Sequence, residues 1–370
     1  MTATFASAPG GMPLPQGPSG AVLGAAGLRV CFVTPHAGHL LAVDDVSLSV
    51  PAGRMLGIVG ESGSGKTTVA RCLAGLLRPD SGEIVLSGEV LTGRRSPAQR
   101  RAVQLVFQDP YASLNPRLRV GTVLRELLAE HGIARGEAAE ARCRQLMTLV
   151  GLGEAALGGY PSAFSGGQRQ RIAIARALAV EPAVLVADEP VSSLDVSVQA
   201  TILALFAELR DRLGLAVVMI SHNLAAVRNV CDDVAVMYLG RIVEQGSREA
   251  VFGDPRHPYT RALLAAAPRL RPGSEPVAAR LAGEPPSATS RPAGCAFHPR
   301  CPRAEARCAV EEPRLLPVTP AAAPAATGAS AEVASDPVAH PALAAHPAHA
   351  AACHFRDERP REDRPREDRP

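Results

Sequence analysis

The chain has 370 residues, 46% of them hydrophobic, with 39 basic against 36 acidic side chains and a formal net charge of +3. That is enough apolar residue for a large core and two domains, which excludes a small disulfide-stapled scaffold. The arginines are scattered or paired with acids, so no basic stripe points to nucleic acid. No apolar run approaches the ~20 residues that span a bilayer, so a membrane role would have to come through a partner. A cytoplasmic setting then makes the eight cysteines thiols or metal ligands in preference to disulfides.

Residues 1–26, rich in Ala, Gly and Pro with no basic start or apolar signal core, are expected to be a disordered tail. From about residue 28 to 253, strand-like and helix-like segments alternate, which argues for an α/β domain with a mainly parallel sheet. Val43 to Val50 alternates apolar and polar residues like a half-exposed strand, and the run Arg54 to Val59 reads as a buried one.

The only lysine of the chain, Lys66, lies in Gly60-Glu61-Ser62-Gly63-Ser64-Gly65-Lys66-Thr67, a full match to the phosphate-loop pattern GxxxxGK[ST], with Thr68 following. A strand precedes the loop, and the run Thr67 to Leu77 reads as the helix after it. Gly60, Gly63 and Gly65 let backbone N–H groups converge on phosphate oxygens, and the free amides of the helix start add positive potential. The compact ammonium reaches the β- and γ-phosphates where a wide guanidinium would not fit, and Thr67 supplies a hydroxyl to Mg²⁺. ATP or GTP is the expected ligand.

Further along, Gln104 to Phe107, Val184 to Ala187 and Ala216 to Ile220 read as short buried strands, and Gly121 to Val150 as an inserted helical segment. Ser165 fits as the N-cap of a helix through Ala179, with Gly166, Gly167 and Gln168 opening its first turn as a second anion-binding helix start. The strand from Val184 ends in two carboxylates: Asp188 would hold Mg²⁺ through its water shell, and Glu189 would polarise the attacking water as general base. Beyond Pro255 the composition turns to proline, arginine and clustered cysteine, followed by an Ala/Pro/His linker over 317–351 and a charge-balanced repeat closing the chain, with 356–370 expected to be disordered.

Ser165-Gly166-Gly167-Gln168, with the phosphate loop and Asp188-Glu189, resembles the ATP-binding cassette superfamily, whose cassettes pair head to tail so that one signature closes on the ATP of the other. The resemblance implies a RecA-like core with an antiparallel β subdomain and a helical subdomain at about 109–164, together spanning 27–254. It assigns Gln108 to the glutamine loop, beside Thr67 and Asp188 at Mg²⁺. Ser193-Leu194-Asp195 matches the D-loop, and His222 the switch histidine that contacts the γ-phosphate. Phe32 is the candidate for stacking on adenine, with a core role as its alternative. Phe164 and Asn223 depart from the commoner leucine and aspartate of the family.

Longer strings narrow the resemblance. Gln108 to Arg117, Pro190 to Ala200 and His257 to Leu264 are similar to the second-type ATPase subunits of dipeptide and oligopeptide importers. Such a subunit works on the cytoplasmic face of the membrane with two permease subunits, a second cassette and a solute-binding protein; nickel and oligosaccharide importers carry nearly the same cassette. A soluble cassette acting in DNA repair or translation is the alternative of a different class, and it is disfavoured by a single copy of each motif only 98 residues apart between Lys66 and Ser165. Residues 255–316 resemble the C-terminal extension of the subfamily. There Cys295, Cys301 and Cys308, with Cys353 returning from beyond the linker, look like an iron–sulfur site, [4Fe-4S] in type, while the spacing suits zinc equally well. Cys31, Cys72, Cys143 and Cys231 are expected to be small core residues.

Overall fold

The computed structural model describes residues 21–34, 38–266, 286–287, 289, 291–319 and 349–358. Twelve strands lie among them: β1 (Ala21–Thr34), β2 (Gly38–Pro51), β3 (Met55–Val59), β4 (Ser81–Leu86), β5 (Glu89–Val90), β6 (Val103–Val106), β7 (Val184–Asp188), β8 (Ala216–Ser221), β9 (Asp233–Tyr238), β10 (Arg241–Ser247), β11 (Leu316–Pro317) and β12 (His349–Ala351). They form two sheets. A four-stranded antiparallel sheet runs β2-β1-β4-β5, and an eight-stranded mixed sheet runs β11-β12-β10-β9-β3-β8-β7-β6.

The centre of the large sheet is parallel from β9 through β3, β8 and β7 to β6. Its strands are mostly apolar because both faces are covered. Alternation still sorts the side chains: Met55 and Val59 of β3, Leu185 and Ala187 of β7, and Val217 and Met219 of β8 enter one core. Leu56 and Ile58, Val184 and Val186, and Val218 and Ile220 enter the other, where they meet the antiparallel sheet and Val69, Ala70 and Leu73 of the helix Lys66–Ala74. The first core is roofed by the helix Val196–Leu213, whose Ile202, Leu203, Leu205, Phe206 and Leu209 are buried at about 1.5–3 kcal/mol each.

Between β6 and β7 the chain is helical: Pro110–Ser113, Val120–Glu130, Gly136–Leu149 and two short 3₁₀ turns precede Gly166–Leu178. Val120, Leu124, Leu128, Cys143, Leu146 and Met147 point inward from these helices, following the three-to-four-residue spacing of the sequence.

Several expectations change at the ends. Residues 21–26, assigned to the tail, open β1, where Leu23 and Ala25 are buried and pair with both β2 and β4. Pro317 and residues 349–351, assigned to the linker, belong to β11 and β12, which extend the large sheet along the free edge of β10. Residues 356–358, assigned to the final tail, close a turn in which Glu358 accepts from Arg303 at 2.6 Å. Residues 1–20, 320–348 and 359–370 lie outside the described residues.

The edge addition is held by a buried acid. Glu244 of β10 is fully buried and accepts from the Arg256 N–H (2.6 Å), the His257 N–H (2.9 Å) and His349 Nε2 (2.7 Å), so its charge is satisfied where water is excluded. A second buried acid, Asp44 of β2, accepts from Arg29, Arg241 and Arg291 at 2.7–2.9 Å and so ties both sheets to the extension. Burial pushes its pKa up, but the arginines outweigh this and hold it below the usual carboxylate value.

Cys72, Cys143 and Cys231 are core residues, whereas Cys31 is not: it is half-buried in β1, with its sulfur 3.7 Å from His39 Nδ1.

Two tests follow from the packing. Gly57 of β3 lies under the helix Leu224–Val230, and a Cβ there would fall 2.4 Å from Val227 Cγ1 and 3.0 Å from Cys231 Sγ. Gly57→Ala is expected to lower stability by about 1–3 kcal/mol in denaturant titrations, and Val227→Ala in the same chain to restore part of the loss. His257 is fully enclosed, its Nδ1 accepts the Tyr259 N–H at 3.1 Å, and burial pushes its pKa down from 6.5 to about 4. The unfolded chain therefore binds a proton below pH 6.5 that the folded one refuses, so this contribution is whole above that pH and is lost as pH falls towards 4. His257→Asn, which keeps an acceptor without the titrating ring, is expected to flatten the dependence of the urea midpoint on pH between 7 and 5.

Candidate functional site

Parallel register brings the site together. Val59 pairs with Ser221, Asp188 with Ile220 and Val106 with Ala187, so β3, β8, β7 and β6 all end at one edge of the sheet. The loop after β3, the carboxylates ending β7, His222 after β8 and Gln108 just beyond β6 are thereby delivered to the same place, the carboxyl edge where open α/β sheets take ligands.

The loop from Gly60 curls around its own lysine. Lys66 is 5% exposed, and its Nζ donates to the carbonyls of Gly60 (2.8 Å) and Glu61 (2.7 Å), with Ser64 Oγ at 3.4 Å. Burial lowers its pKa, opposed by the carboxylates of Glu189, Asp188 and Glu61. Gly65 has φ +101°, and a Cβ on it would stand 2.3 Å from the Ala42 carbonyl of β2. Only glycine allows the antiparallel sheet to approach the loop this closely. The approach closes a cavity of about 340 Å³ lined by Phe32, Leu40, Leu41, Ala42, Ser62, Gly63, Gly65, Lys66, Thr67, Thr68, Glu189, Leu239 and Gly240. Its volume is that of a small-molecule site. Phe32, 37% exposed, stands at its wall and not in the core.

At the other side of the loop Thr67 Oγ1 donates to Asp188 Oδ1 at 3.1 Å. Burial raises the Asp188 pKa, the Thr67 hydrogen bond opposes this, and the neighbouring Glu189 charge adds to it. A half-enclosed hydroxyl, two adjacent carboxylates and the side chain of Gln108 make a set of hard oxygen donors that suits Mg²⁺, which keeps several waters and takes few protein ligands.

Glu189 is the focus. Its carboxylate oxygen Oε2 lies 3.3 Å from Gln108 Nε2 and 3.2 Å from His222 Nδ1. Its backbone has φ +47°, a left-handed conformation costly for a residue with a side chain. The strain is held by the Glu189 N–H donating to Ile220 of β8 (3.0 Å), and by Ser192, which donates from both N–H and hydroxyl to the Glu189 carbonyl. Ser192 also holds Gln108 Nε2 at 3.3 Å. The sequence reading passed over Ser192, although its position three residues after Glu189 matches the short return loop seen here.

The structure does not bring every expected residue to this cavity. Ser165 caps the helix Gly166–Leu178 in a reciprocal box, Gln168 N–H to Ser165 Oγ (3.3 Å) and Ser165 N–H to Gln168 Oε1 (2.9 Å). Neither this segment nor Asp195, the exposed N-cap of Val196–Leu213, lines the cavity.

The cysteines of the extension converge without forming a ligand set. Cys308, Cys353 and Phe355 form one small apolar cluster with Cys295 against it, and Cys295 N–H donates to the Cys308 carbonyl at 2.8 Å. Burial pushes the Cys295 thiol up to about 11 and raises Cys301 and Cys353, each also raised by neighbouring thiols. Yet among the described residues no group of three or more His, Cys, Asp or Glu is placed to hold a metal ion, so the expected cluster does not fit the thiols as they stand.

Comparison with known proteins agrees with this geometry. The ABC transporter family profile matches residues 43–192, and that of the oligopeptide/dipeptide transporter C-terminal region matches 243–308. The chain is 49% identical over 284 residues to the di/tripeptide transport ATP-binding protein DppF of Pseudomonas aeruginosa (75% of this chain, 88% of that one). It is 46% identical over 287 residues to the dipeptide transport ATP-binding protein DppF of Haemophilus influenzae (77% and 87%). A dimeric post-hydrolysis state of the ATP-binding cassette MJ0796 bound to ADP and Pi superimposes with a TM-score of 0.54 at 26% identity, covering 61% of this chain and 98% of that one. The chain therefore belongs to the ABC transporter family, with the C-terminal region of its oligopeptide/dipeptide branch.

Proposed function

We propose that the chain is the ATP-hydrolysing subunit of a dipeptide or oligopeptide importer, working at the cytoplasmic membrane face with permease subunits. The observation that carries the catalytic part is Glu189, poised between Gln108 and His222 beside the phosphate loop. The peptide assignment rests on relatives whose names specify peptide transport and on the matched C-terminal region. These do not favour a nickel, oligosaccharide or soluble non-transport cassette.

In this reading the N–H groups of Ser62 to Thr68 and the Lys66 ammonium receive the phosphates, and Phe32 receives the adenine face. Thr67, Gln108 and Asp188 would hold Mg²⁺, which would supply charge neutralisation for the phosphates. Glu189 takes the proton of the attacking water, and Gln108 and His222 hold that carboxylate aimed; His222, its side chain 57% exposed, is free to face the γ-phosphate. Ser165, Gly166, Gly167 and Gln168, remote from the chain's own cavity, serve the nucleotide of a second cassette, with Asp195 at the joint. The dimeric state of the structurally similar cassette supports this pairing.

No helix among the described residues is long and apolar enough to cross a membrane. An open groove of about 660 Å³ between Ser113, Asn115, Leu127, Glu130, Arg135 and Arg176 in the helical subdomain suits a permease segment. A solute-binding protein completes such a system.

Glu189→Gln is expected to retain ATP binding while turnover falls by a factor of about 10² or more, with ATP then holding cassettes together in sedimentation or light scattering. Wild-type turnover in that variant would remove Glu189 from the mechanism. An iron–sulfur cluster at Cys295, Cys301, Cys308 and Cys353 is not part of this reading, because the thiols as placed form no ligand set; iron and sulfide in anaerobically purified protein, lost in Cys301→Ser, would reverse that.

A further inference from the structure

Glu61, second residue of the phosphate loop, is held at every polar group it has. Its carbonyl accepts from Lys66 Nζ at 2.7 Å. Its N–H donates to the hydroxyl of Tyr259 at 2.9 Å. Its carboxylate takes both arms of one guanidinium, Arg300 Nη1 at 2.8 Å and Nη2 at 3.0 Å. Two of these three partners come from the C-terminal region: Tyr259 from the helix Pro258–Ala266, and Arg300 from the 3₁₀ turn His298–Arg300.

The clamp is built into a core. Tyr259 is fully buried, and the Arg300 side chain is 4% exposed. Tyr238, Tyr259 and Phe297 pack their rings in a triangle with centroids 4.6–5.4 Å apart, and the Arg300 guanidinium sits 5.9 Å from both the Tyr238 and Phe297 centroids. Tyr238 ends β9, the neighbour of β3 from which the loop springs. A planar fork against a carboxylate fixes direction as well as charge, so Glu61 has one seat.

We propose that Arg300 and Tyr259 are positioning residues for the phosphate loop. The seated C-terminal region thereby sets nucleotide affinity, and bound nucleotide in turn tightens the seating of that region. This rests on the reading that Ser62 to Thr68 receives the phosphates. Glu61 is adjacent to the amides that would meet them, and its carbonyl orients Lys66; a displaced Glu61 tilts both. Neither Arg300 nor Tyr259 touches Glu189, so the chemical step is spared. Because the linkage is an equilibrium one, the effect on nucleotide and on extension must be reciprocal.

The test uses the full chain. ATP binding by fluorescence or calorimetry is expected to weaken about tenfold in Arg300→Met and in Glu61→Gln, with KM rising and kcat of the transport assembly changing less than about twofold. The double variant is expected to be no worse than either single one, and Arg300→Lys to restore part of the affinity. In hydrogen exchange, Mg²⁺ with a non-hydrolysable ATP analogue should slow amides of residues 294–301 in the wild type and leave them unchanged in Arg300→Met. Should Arg300→Met fail to fold, Tyr259→Phe decides, since it removes one oxygen: a loss of about threefold supports the clamp, and unchanged affinity overturns it. Independent, additive effects of the Glu61 and Arg300 substitutions would overturn it as well. Lys66→Ala separates the two failures: if it still binds ATP, the phosphate-loop reading is wrong; if it does not while Arg300→Met binds normally, only the clamp is wrong.

Discussion

A buried ammonium governs the site. Lys66 has left water almost completely, and a charge in that position must be met by oriented acceptors. The carbonyls of Gly60 and Glu61 meet it, which makes the loop curl around its own side chain. Three carboxylates, Glu189, Asp188 and Glu61, raise the proton affinity that burial lowers, so the ammonium is anchored electrostatically at the loop. The rest of the catalytic edge is arranged around this point.

What surrounds Lys66 depends on strand order. Because four strands run parallel and in register, their carboxyl ends coincide, and residues as far apart as Gln108, Glu189 and His222 touch. The left-handed backbone of Glu189 is affordable only because β8 and Ser192 hold it from both sides. The same geometry leaves the helix start at Ser165 on a different surface. On the proposed reading one chain carries two halves of a nucleotide site that do not face each other, which is why it would work with a second cassette.

The C-terminal region completes the cassette in two ways. Its strands cover the otherwise open edge of β10, fastened by the fully buried Glu244, and so remove a surface on which chains could pair wrongly. Its aromatic cluster and Arg300 reach the phosphate loop. Its buried Tyr259 and Phe297 join the main core, and ion pairs such as Arg291 with Asp44 add to the attachment.

Local patterns in the sequence determined much of this. Glycines and a lone lysine at the phosphate-loop spacing, an apolar run ending in Asp188-Glu189, and Ser165 three residues before Gln168 each act within a few residues, and the chain adopts them as read. Residues 21–26, Pro317 and 349–351 read as tail and linker because a strand that borrows its stability from neighbours needs little signal of its own: Ala-rich segments become β1 and β12 only when β2, β4 and β10 offer their edges. The apolar segment around Cys31 reads as core, yet β1 turns this residue towards His39 at the rim. Tertiary structure alone decided that Arg300 reaches Glu61 across 239 positions and that Arg291 reaches Asp44 across 247. Spacing along a chain specifies contacts one or two turns away; partners this distant are chosen by how strands are ordered and which faces are left to be covered.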